Sequence, residues 1–581
     1  MDKRTILAIL LMFLVLFGWS VIESKFFPKP SPPKQEEKRE RTPSSQPAVV
    51  EKREKLAPGK ALGATTGPEV SKIFEKKEVF VETEDFSAVF TSEDARIKHF
   101  RLKKYMDRAT ESPMTTKILG LVHSIFGGKA EPPPKPEPLD LVNTKEEEGL
   151  PLGLTFSDET LSHSQGYWEV DKDGLKLLRP GEKGEITFTK TFEGGVKIRK
   201  RFEFTAGEEA INLHVDVENR SSKDVNTEVG LEWIGRVELG KLAHEGNKDF
   251  GLKYAFIKAN KVETKDLSGV GSGGCTPGCQ PAKKNIDPFE FSEKGEIGWY
   301  AFQGEYFAAM LFPPAGEKNV VVAVKGDDKN LLRARIVTPA ISVSPQRSVT
   351  LPFKIYVGPK SEKGLRKLGS GAEKLVDFGF FTIFAKPIIW FINLTHKATK
   401  NYGIDIIIIS ILMKLVFLPL TQMSFKSMKE MQKIQPEMNR LREMYKNDKA
   451  RLQQEMMLLY KRRKVNPMSG CLPMLVQIPI FIALYNALQN SIEMRHAPFF
   501  LWITDLSAKD PLYISPIIMG ASMVIQQKMT PTTGDPAQAK LFLLMPVMFT
   551  FLFLSFPSGL VIYWLINNVL SIAHQYYINK K

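Results

Sequence analysis

A lysine inside an apolar run and a stripe of amides and hydroxyls on a second run are the residues here whose types and spacing point to chemistry. Lys414 lies in Ile-Ile-Ile-Ile-Ser-Ile-Leu-Met-Lys-Leu-Val-Phe-Leu-Pro-Leu, six residues before Leu420. A lysine in the hydrocarbon core of a bilayer costs roughly 2.5–3.5 kcal/mol on insertion scales, so such residues face water or a partner. At about 1.5 Å per residue it would sit some 9 Å below the helix end, where snorkelling to the interface is the alternative. Ser410, one turn away on the same face, favours a polar cavity. Near the C-terminus Tyr563, Asn567, Ser571 and His574 recur at helical spacing, and Trp564, Asn568 and Gln575 widen the stripe. Such stripes also glue helices together. Gln477, Asn486, Gln489, Ser522, Gln526 and Gln527 add polar groups to two further apolar runs. One cation, several amides and no intramembrane acid except Asp405 describe a hydrated groove, not a proton relay.

These residues need helices that cross a bilayer. Thr5–Ile22 is an uncharged run of 18 residues behind Lys3 and Arg4, long enough to span, with no small-x-small cleavage site after it. It is expected to be an uncleaved anchor that delivers the chain to the periplasm. Five further candidates follow: Ile404–Leu420, Cys471–Ile492, Leu512–Gln527, Leu541–Phe556 and Gly559–Gln575. Two of them have only 16 residues, which would thin the bilayer locally. Residues 421–466 hold twelve Lys or Arg against five Asp or Glu, a net of +7, whereas 495–511 is neutral. Six spans with both termini in the cytoplasm satisfy the positive-inside bias. Phe384–Asn401 mixes Trp390 and Ile388 with Lys386 and Lys397, a composition for an interfacial helix with Pro387 near its start.

Between the anchor and the core the pattern changes twice. Residues 25–69 are rich in Pro, Lys, Glu and Ser and form a linker. Residues 70–365 show period-two alternation: Val196, Ile198, Phe202 and Phe204; then Ile211, Leu213, Val215 and Val217; then Val349, Leu351, Phe353, Ile355 and Val357. Many half-buried strands over that length predict an all-β supersandwich. Residues 107–138 interrupt it, and Ile118–Phe126 is too short to span. The domain order is therefore anchor (1–24), linker (25–69), β-domain (70–365), interfacial helix region (366–401) and a five-span core (402–581) containing a cytoplasmic helical hairpin at 423–464. In that hairpin Met431, Ile434, Met438 and Leu441 on one side, and Leu452, Met456 and Leu459 on the other, recur at three and four around a turn at Lys446-Asn447-Asp448. Its methionines, Met457 included, either pack the hairpin or offer an adaptable surface to apolar clients.

The 581 residues carry a formal charge of +15. The basic residues cluster beside apolar spans, where they serve orientation and anionic lipid, and DNA is not expected as a ligand. Cys275 and Cys279 lie in a turn-rich stretch; a disulfide is open to them if it faces the periplasm, while a metal site would need ligands that no nearby histidine supplies. Cys471 is read as a packing residue. No nucleotide motif, cofactor site or catalytic constellation is expected.

Specific runs carry a resemblance. Glu455–Tyr460, Val465-Asn466-Pro467, Gln477-Ile478-Pro479-Ile480-Phe481, Leu501–Ser507, Gln527–Thr533 and Phe556–Leu560 resemble the YidC membrane protein insertase family over about residues 400–576. Gly304-Glu305-Tyr306-Phe307-Ala308 resembles the periplasmic domain of its two-membrane bacterial branch. The resemblance implies an inner-membrane insertase and chaperone, not an enzyme, with five helices around a groove closed outward. Its clients would be nascent inner-membrane proteins, taken alone or with the Sec translocon. The family's groove arginine corresponds to Lys414, which keeps the charge but not the planar fork. The ribosome is also implied, although the chain ends five residues after Tyr576, without a long basic tail. A secondary transporter of a small anion and a membrane-tethered carbohydrate-active protein are the rival functions. The first calls for internal repeats, the second for paired carboxylates at a cleft.

Overall fold

The computed structural model describes residues 75–125, 135–162, 166–192, 194–237, 253–267, 286–463, 465, 472–529 and 536–580. The expected anchor, linker, Cys275–Cys279 pair and Cys471 lie outside the described residues. Phe74–Lys581 forms one compact unit.

The alternating segments become strands because each places every second side chain in a shared core. Four sheets result among the described residues, of nine, five, five and two strands. In the nine-stranded sheet Ala210–Asn219 runs antiparallel to both Val196–Thr205 and Arg347–Pro359, with Leu213 opposite Phe202 and Phe353. Ile198, Phe202, Ile211, Leu213 and Ile355 are all buried in the core these sheets share. Lys200 occupies the inward phase of the same strand and is fully buried. Its ammonium donates to Ala95 O (2.5 Å) and Leu152 O (2.6 Å) and lies 5.4 Å from the Phe202 ring centre. A buried lysine is tolerated where carbonyls and aromatic faces replace its water.

A second buried lysine marks the end of the last long strand. Lys360 donates to Gly304 O (3.1 Å), and burial pushes its pKa from the ordinary 10.5 to about 7. Between these values the unfolded chain holds a proton that the folded chain has shed, so stability falls as pH drops from about 10 to about 7 and levels off below. Burial pushes Lys200 down as well, with the same sign. Thermal unfolding of the full chain in detergent is expected to show a melting temperature that rises with pH over this window. Lys360→Met should make that rise shallower; equal slopes would contradict it.

Helix α1 (Pro113–Ile125) lies within the predicted excursion at 107–138. After the β-domain a short helix, Glu362–Leu368, is capped by the Ser361 hydroxyl, which accepts from Gly364 N. Helix α2 (Thr382–Thr399) then buries Ala385, Ile388 and Ile392 and exposes Ile383, Trp390 and Leu394. It starts before the predicted Phe384, so Pro387 falls inside it instead of near its start. Asn401 caps α3 (Tyr402–Val416) by accepting from Gly403 N and Ile404 N. Asp405 in the first turn of α3 is fully buried, within 2.9 Å of His396 Nδ1 and accepting from Thr399 Oγ1 (2.7 Å).

The predicted Ile404–Leu420 run is not one straight helix. It breaks at Phe417 and continues as α4 (Leu418–Lys433), bent by 61°. Pro419 accounts for the break, since it lacks an N–H and its ring collides with the carbonyl four residues back. The hairpin is accordingly built from α4, α5 (Gln435–Met444) and α6 (Lys449–Arg463), three helices where two were predicted, turning near Lys446–Asp448. Met431 and Met438 are buried against Ile434 and Leu459, Met456 is partly buried there, and Met457 is exposed. Packing thus accounts for three of the four methionines.

Four more helices complete the core: α7 (Leu472–Asn490), α8 (Ile514–Met529), α9 (Pro536–Phe553) and α10 (Ser558–Lys580). No single described helix is long and apolar enough to cross a membrane alone; α3 and α4 reach that length and apolarity only as a bent pair.

Candidate functional site

The break at Phe417 swings α4 away from the axis of α3 and leaves a cavity of about 270 Å³ between α3, α4, α7, α8, α9 and α10. Lys414, Gln477, Gln526, Trp564, Asn567, Asn568 and Ser571 all line it, so one bend gathers polar residues spread over more than 150 positions.

Within the cavity the Lys414 ammonium donates to Ser571 Oγ (2.6 Å), and that hydroxyl donates onward to Asn567 O (2.7 Å). The serine spends its proton on its own helix, so its lone pairs face the lysine. Among the described residues no carboxylate lies beside Lys414. The cavity therefore holds a cation steadied by a neutral group, with its charge uncompensated by an acid.

The stripe on α10 divides between two tasks. Asn568 donates to Ser522 Oγ (3.0 Å) and Gln575 donates to Met529 O (2.8 Å), both tying α10 to α8. Asn568 also lines the cavity, together with Asn567 and Ser571, while His574 packs edge-on to Phe425. Helix glue and cavity lining are thus both present, on adjacent faces.

Two residues predicted for the cavity are placed otherwise. Ser410 is fully buried and donates to Ile406 O (2.6 Å), which leaves it no role in the lining. Its short side chain reaches its own helix before it reaches the cavity. Tyr563 is 1% exposed and sits behind the lining, where its hydroxyl bonds to Gln477 Nε2. It positions Gln477 and does not face the cavity itself.

The cavity also has members that the sequence reading omitted. Thr421 and Ser424 on α4 line it, and Met413, Met428, Met523 and Met545 supply much of its apolar wall. Thr421 lies seven residues after Lys414, two turns on, which is the spacing that would have flagged it had the helix been extended past Leu420. Unbranched methionines fill irregular gaps and adapt to varied apolar contacts.

Beyond Lys414 toward the start of α3 the bundle closes. Ile406, Ile409, Leu484, Leu488, Leu560 and Tyr563 pack there at 2% exposure or less. The segment 491–511 seals that end. Asp505 accepts from Ser507 N (2.8 Å) and His496 N (3.2 Å), and Ser558 Oγ donates to Asp505 O (2.7 Å). Burial pushes the Asp505 carboxyl above the usual aspartate range, against the pull of these hydrogen bonds. The cavity is therefore polar and cationic, blocked at one end by apolar packing and a tightly bonded loop.

Comparisons with known proteins match both regions. The family model described as 60Kd inner membrane protein matches residues 394–581, and the YidC periplasmic domain matches residues 129–391. The membrane protein insertase YidC of Syntrophus aciditrophicus (strain SB) is 38% identical over all of both chains. That of Geobacter sp. (strain M21) is 40% identical over 87% of this chain and 86% of its own. Among solved structures, an active YidC insertase with its first transmembrane domain resolved aligns with a TM-score of 0.37 at 19% identity, over 87% of this chain and 93% of that one.

Proposed function

This chain belongs to the YidC family of membrane protein insertases, and we propose that it inserts inner-membrane proteins through the cavity around Lys414. Insertion of membrane proteins at the inner membrane is its function. The reading of how it works rests on one observation: a cation with no acidic partner among the described residues, held in a polar cavity inside an apolar helix bundle.

Six crossings place both termini in the cytoplasm and the β-rich domain in the periplasm. The charge asymmetry supports this, with a net of +7 in residues 421–466 against zero in 495–511. The cavity then opens to the cytoplasmic side, where α4–α6 project, and its packed end faces outward. A client hairpin enters with its polar flank among Lys414, Gln477 and Asn567. Its acidic residues are drawn to the ammonium, and its apolar segment leaves sideways past the methionine wall into lipid. Lining amides replace part of the water lost by the polar flank, which removes much of the desolvation cost of translocation. Burial of the apolar segment supplies the driving force, roughly 25 cal/mol per Å² of apolar surface.

Short core helices support the same mechanism. The 16 residues of α8 measure about 24 Å against a hydrocarbon core of about 30 Å, so the bilayer thins beside the cavity and the crossing shortens. The Sec translocon, the ribosome and anionic lipids are proposed partners, the basic hairpin being the surface that would meet the last two.

Photo-crosslinking tests this route. A crosslinker at Asn567 is expected to capture a nascent client hairpin, while one at Ile409, in the packed end, is expected to capture none. Equal capture at both sites would overturn the proposal.

A further inference from the structure

Helix α1 has no part in the cavity. The excursion that carries it leaves and rejoins the β-domain through a closed neck, where Asp107 N donates to Glu137 O (2.8 Å) and Glu137 N donates to Asp107 Oδ1 (2.9 Å). From this neck α1 reaches the loop between α7 and α8. Thr115, 3% exposed, donates to Trp502 O (3.3 Å). In the same loop Arg495 donates to Met106 O (2.8 Å), just before the neck, and its guanidinium stands 5.2 Å from the Phe307 ring centre. Two contacts between protein segments nearly 390 residues apart thus hold α1 level with a loop that joins two apolar helices.

The surface around these contacts is apolar and open. Phe500 and Leu501, next to Trp502, are 54% and 65% exposed, and Met114, next to Thr115, is 44% exposed. On α1, Met114 and Ile118 lie one turn apart and share a face. Thr116 and Lys117 are exposed, and Thr116 falls on the opposite face. An amphipathic helix with a lysine beside its apolar face suits an anionic lipid surface. Its 13 residues are too few to cross a bilayer.

We infer that α1 is a membrane-contact helix of the β-domain, clamped by Thr115 and Arg495 so that its apolar face lies in the headgroup region of the outer leaflet. This rests on reading α7 and α8 as membrane crossings joined on the periplasmic side. Lipid is favoured over a protein partner because Thr115 binds Trp502, the residue after the exposed Phe500 and Leu501, and their loop runs directly into those two helices.

The test uses the full chain in vesicles of phosphatidylethanolamine and phosphatidylglycerol. An environment-sensitive fluorescent amino acid is placed in turn at position 118, at 116 and, on α9, at 551. An interfacial helix sinks its apolar face about 5–10 Å, so quenching by lipid-borne nitroxide should be about twofold or more stronger at 118 than at 116, with aqueous iodide showing the reverse order. Strong iodide quenching at 118 would overturn the inference. Shielding of 118 from both quenchers would also overturn it, and would indicate a protein covering the helix. Lipid quenching at 551 without it at 118 removes this inference alone; its absence at 551 removes the membrane reading too.

Discussion

Replacing Lys414 by alanine is expected to lower insertion of clients with acidic flanks by roughly tenfold, about 1.4 kcal/mol of lost attraction, while clients with neutral flanks change little. The size follows from where the ammonium sits. In bulk water two unit charges at 4 Å attract by about 1 kcal/mol, and a partly desolvated site raises this several-fold, less the cost of stripping water from the client's carboxylate. Ser571 is a neutral neighbour, so it steadies the ammonium without cancelling its charge. Lys414→Arg should keep most activity, because attraction at a distance needs charge more than fork geometry. Lys414→Glu should fall below Lys414→Ala for acidic clients through repulsion. Insertion assays with paired clients that differ only in flank charge would measure all three. Equal losses for acidic and neutral flanks would mean that Lys414 holds the bundle together and does not recruit.

Gly520→Leu is expected to destabilise the core by about 1–3 kcal/mol and to depress insertion of every client regardless of charge. Gly520 is buried on α8, and a side chain added there would collide with Thr550 on α9, whose hydroxyl is already committed to Pro546 O (2.7 Å). These two helices carry Met523 and Gln526 on one side of the cavity and Met545 and Phe549 on the other. Close backbone approach at a small residue is the usual way membrane helices gain packing contacts. Splaying them would widen the cavity and break its wall. Thr550→Gly in the Gly520→Leu background should restore part of the loss, since it opens the space the leucine needs. Thermal unfolding in detergent reads the stability change, and a double variant no better than the single one would show that the contact is not what limits packing.

Much of the fold was legible because its physics is periodic. Strict alternation at 211–217 and 349–357 leaves only one arrangement in which half of each strand is dry, and those strands pair in register in the nine-stranded sheet. Lys200 shows where that logic stops. It keeps the inward phase of Val196, Ile198, Phe202 and Phe204, but a charge reads as an outward residue until carbonyls from Ala95 and Leu152, far along the chain, supply its acceptors. The cavity shows the same division. Lys414 stood out because a lysine in an apolar run is costly anywhere. Gln477, Asn567 and Ser571 stood out as polar groups on apolar helices. Ser410 was misjudged because a serine hydroxyl in a helix can satisfy itself on the carbonyl four residues back, which composition does not reveal. Thr421 and Ser424 were missed because they lie past Pro419, where the apolar run ends but the helical path bends onward. Recognising that bend required knowing that α4 continues into the basic hairpin.

The closure of the cavity by the 491–511 segment had no sequence signal of comparable strength. A neutral loop with two aspartates predicts a periplasmic connection, but not that Asp505 and Asp510 would turn inward. Asp510 accepts from Trp502 Nε1 (3.2 Å), Leu512 N (2.9 Å) and Ser515 N (2.8 Å), so it organises the entry to α8 by satisfying donors that would otherwise be left at the helix start.

Thiol accessibility at position 414 tests the cation-bearing cavity most directly. In a chain carrying Lys414→Cys, with Cys275→Ser, Cys279→Ser and Cys471→Ser, a charged, membrane-impermeant thiol reagent added to the cytoplasmic face is expected to modify the new cysteine, and a bound client hairpin should slow that reaction. The same reagent added from the periplasm should not reach it. Modification only by lipid-soluble reagents, or from the periplasmic face, would contradict a polar cavity that opens to the cytoplasm and is sealed on the outside.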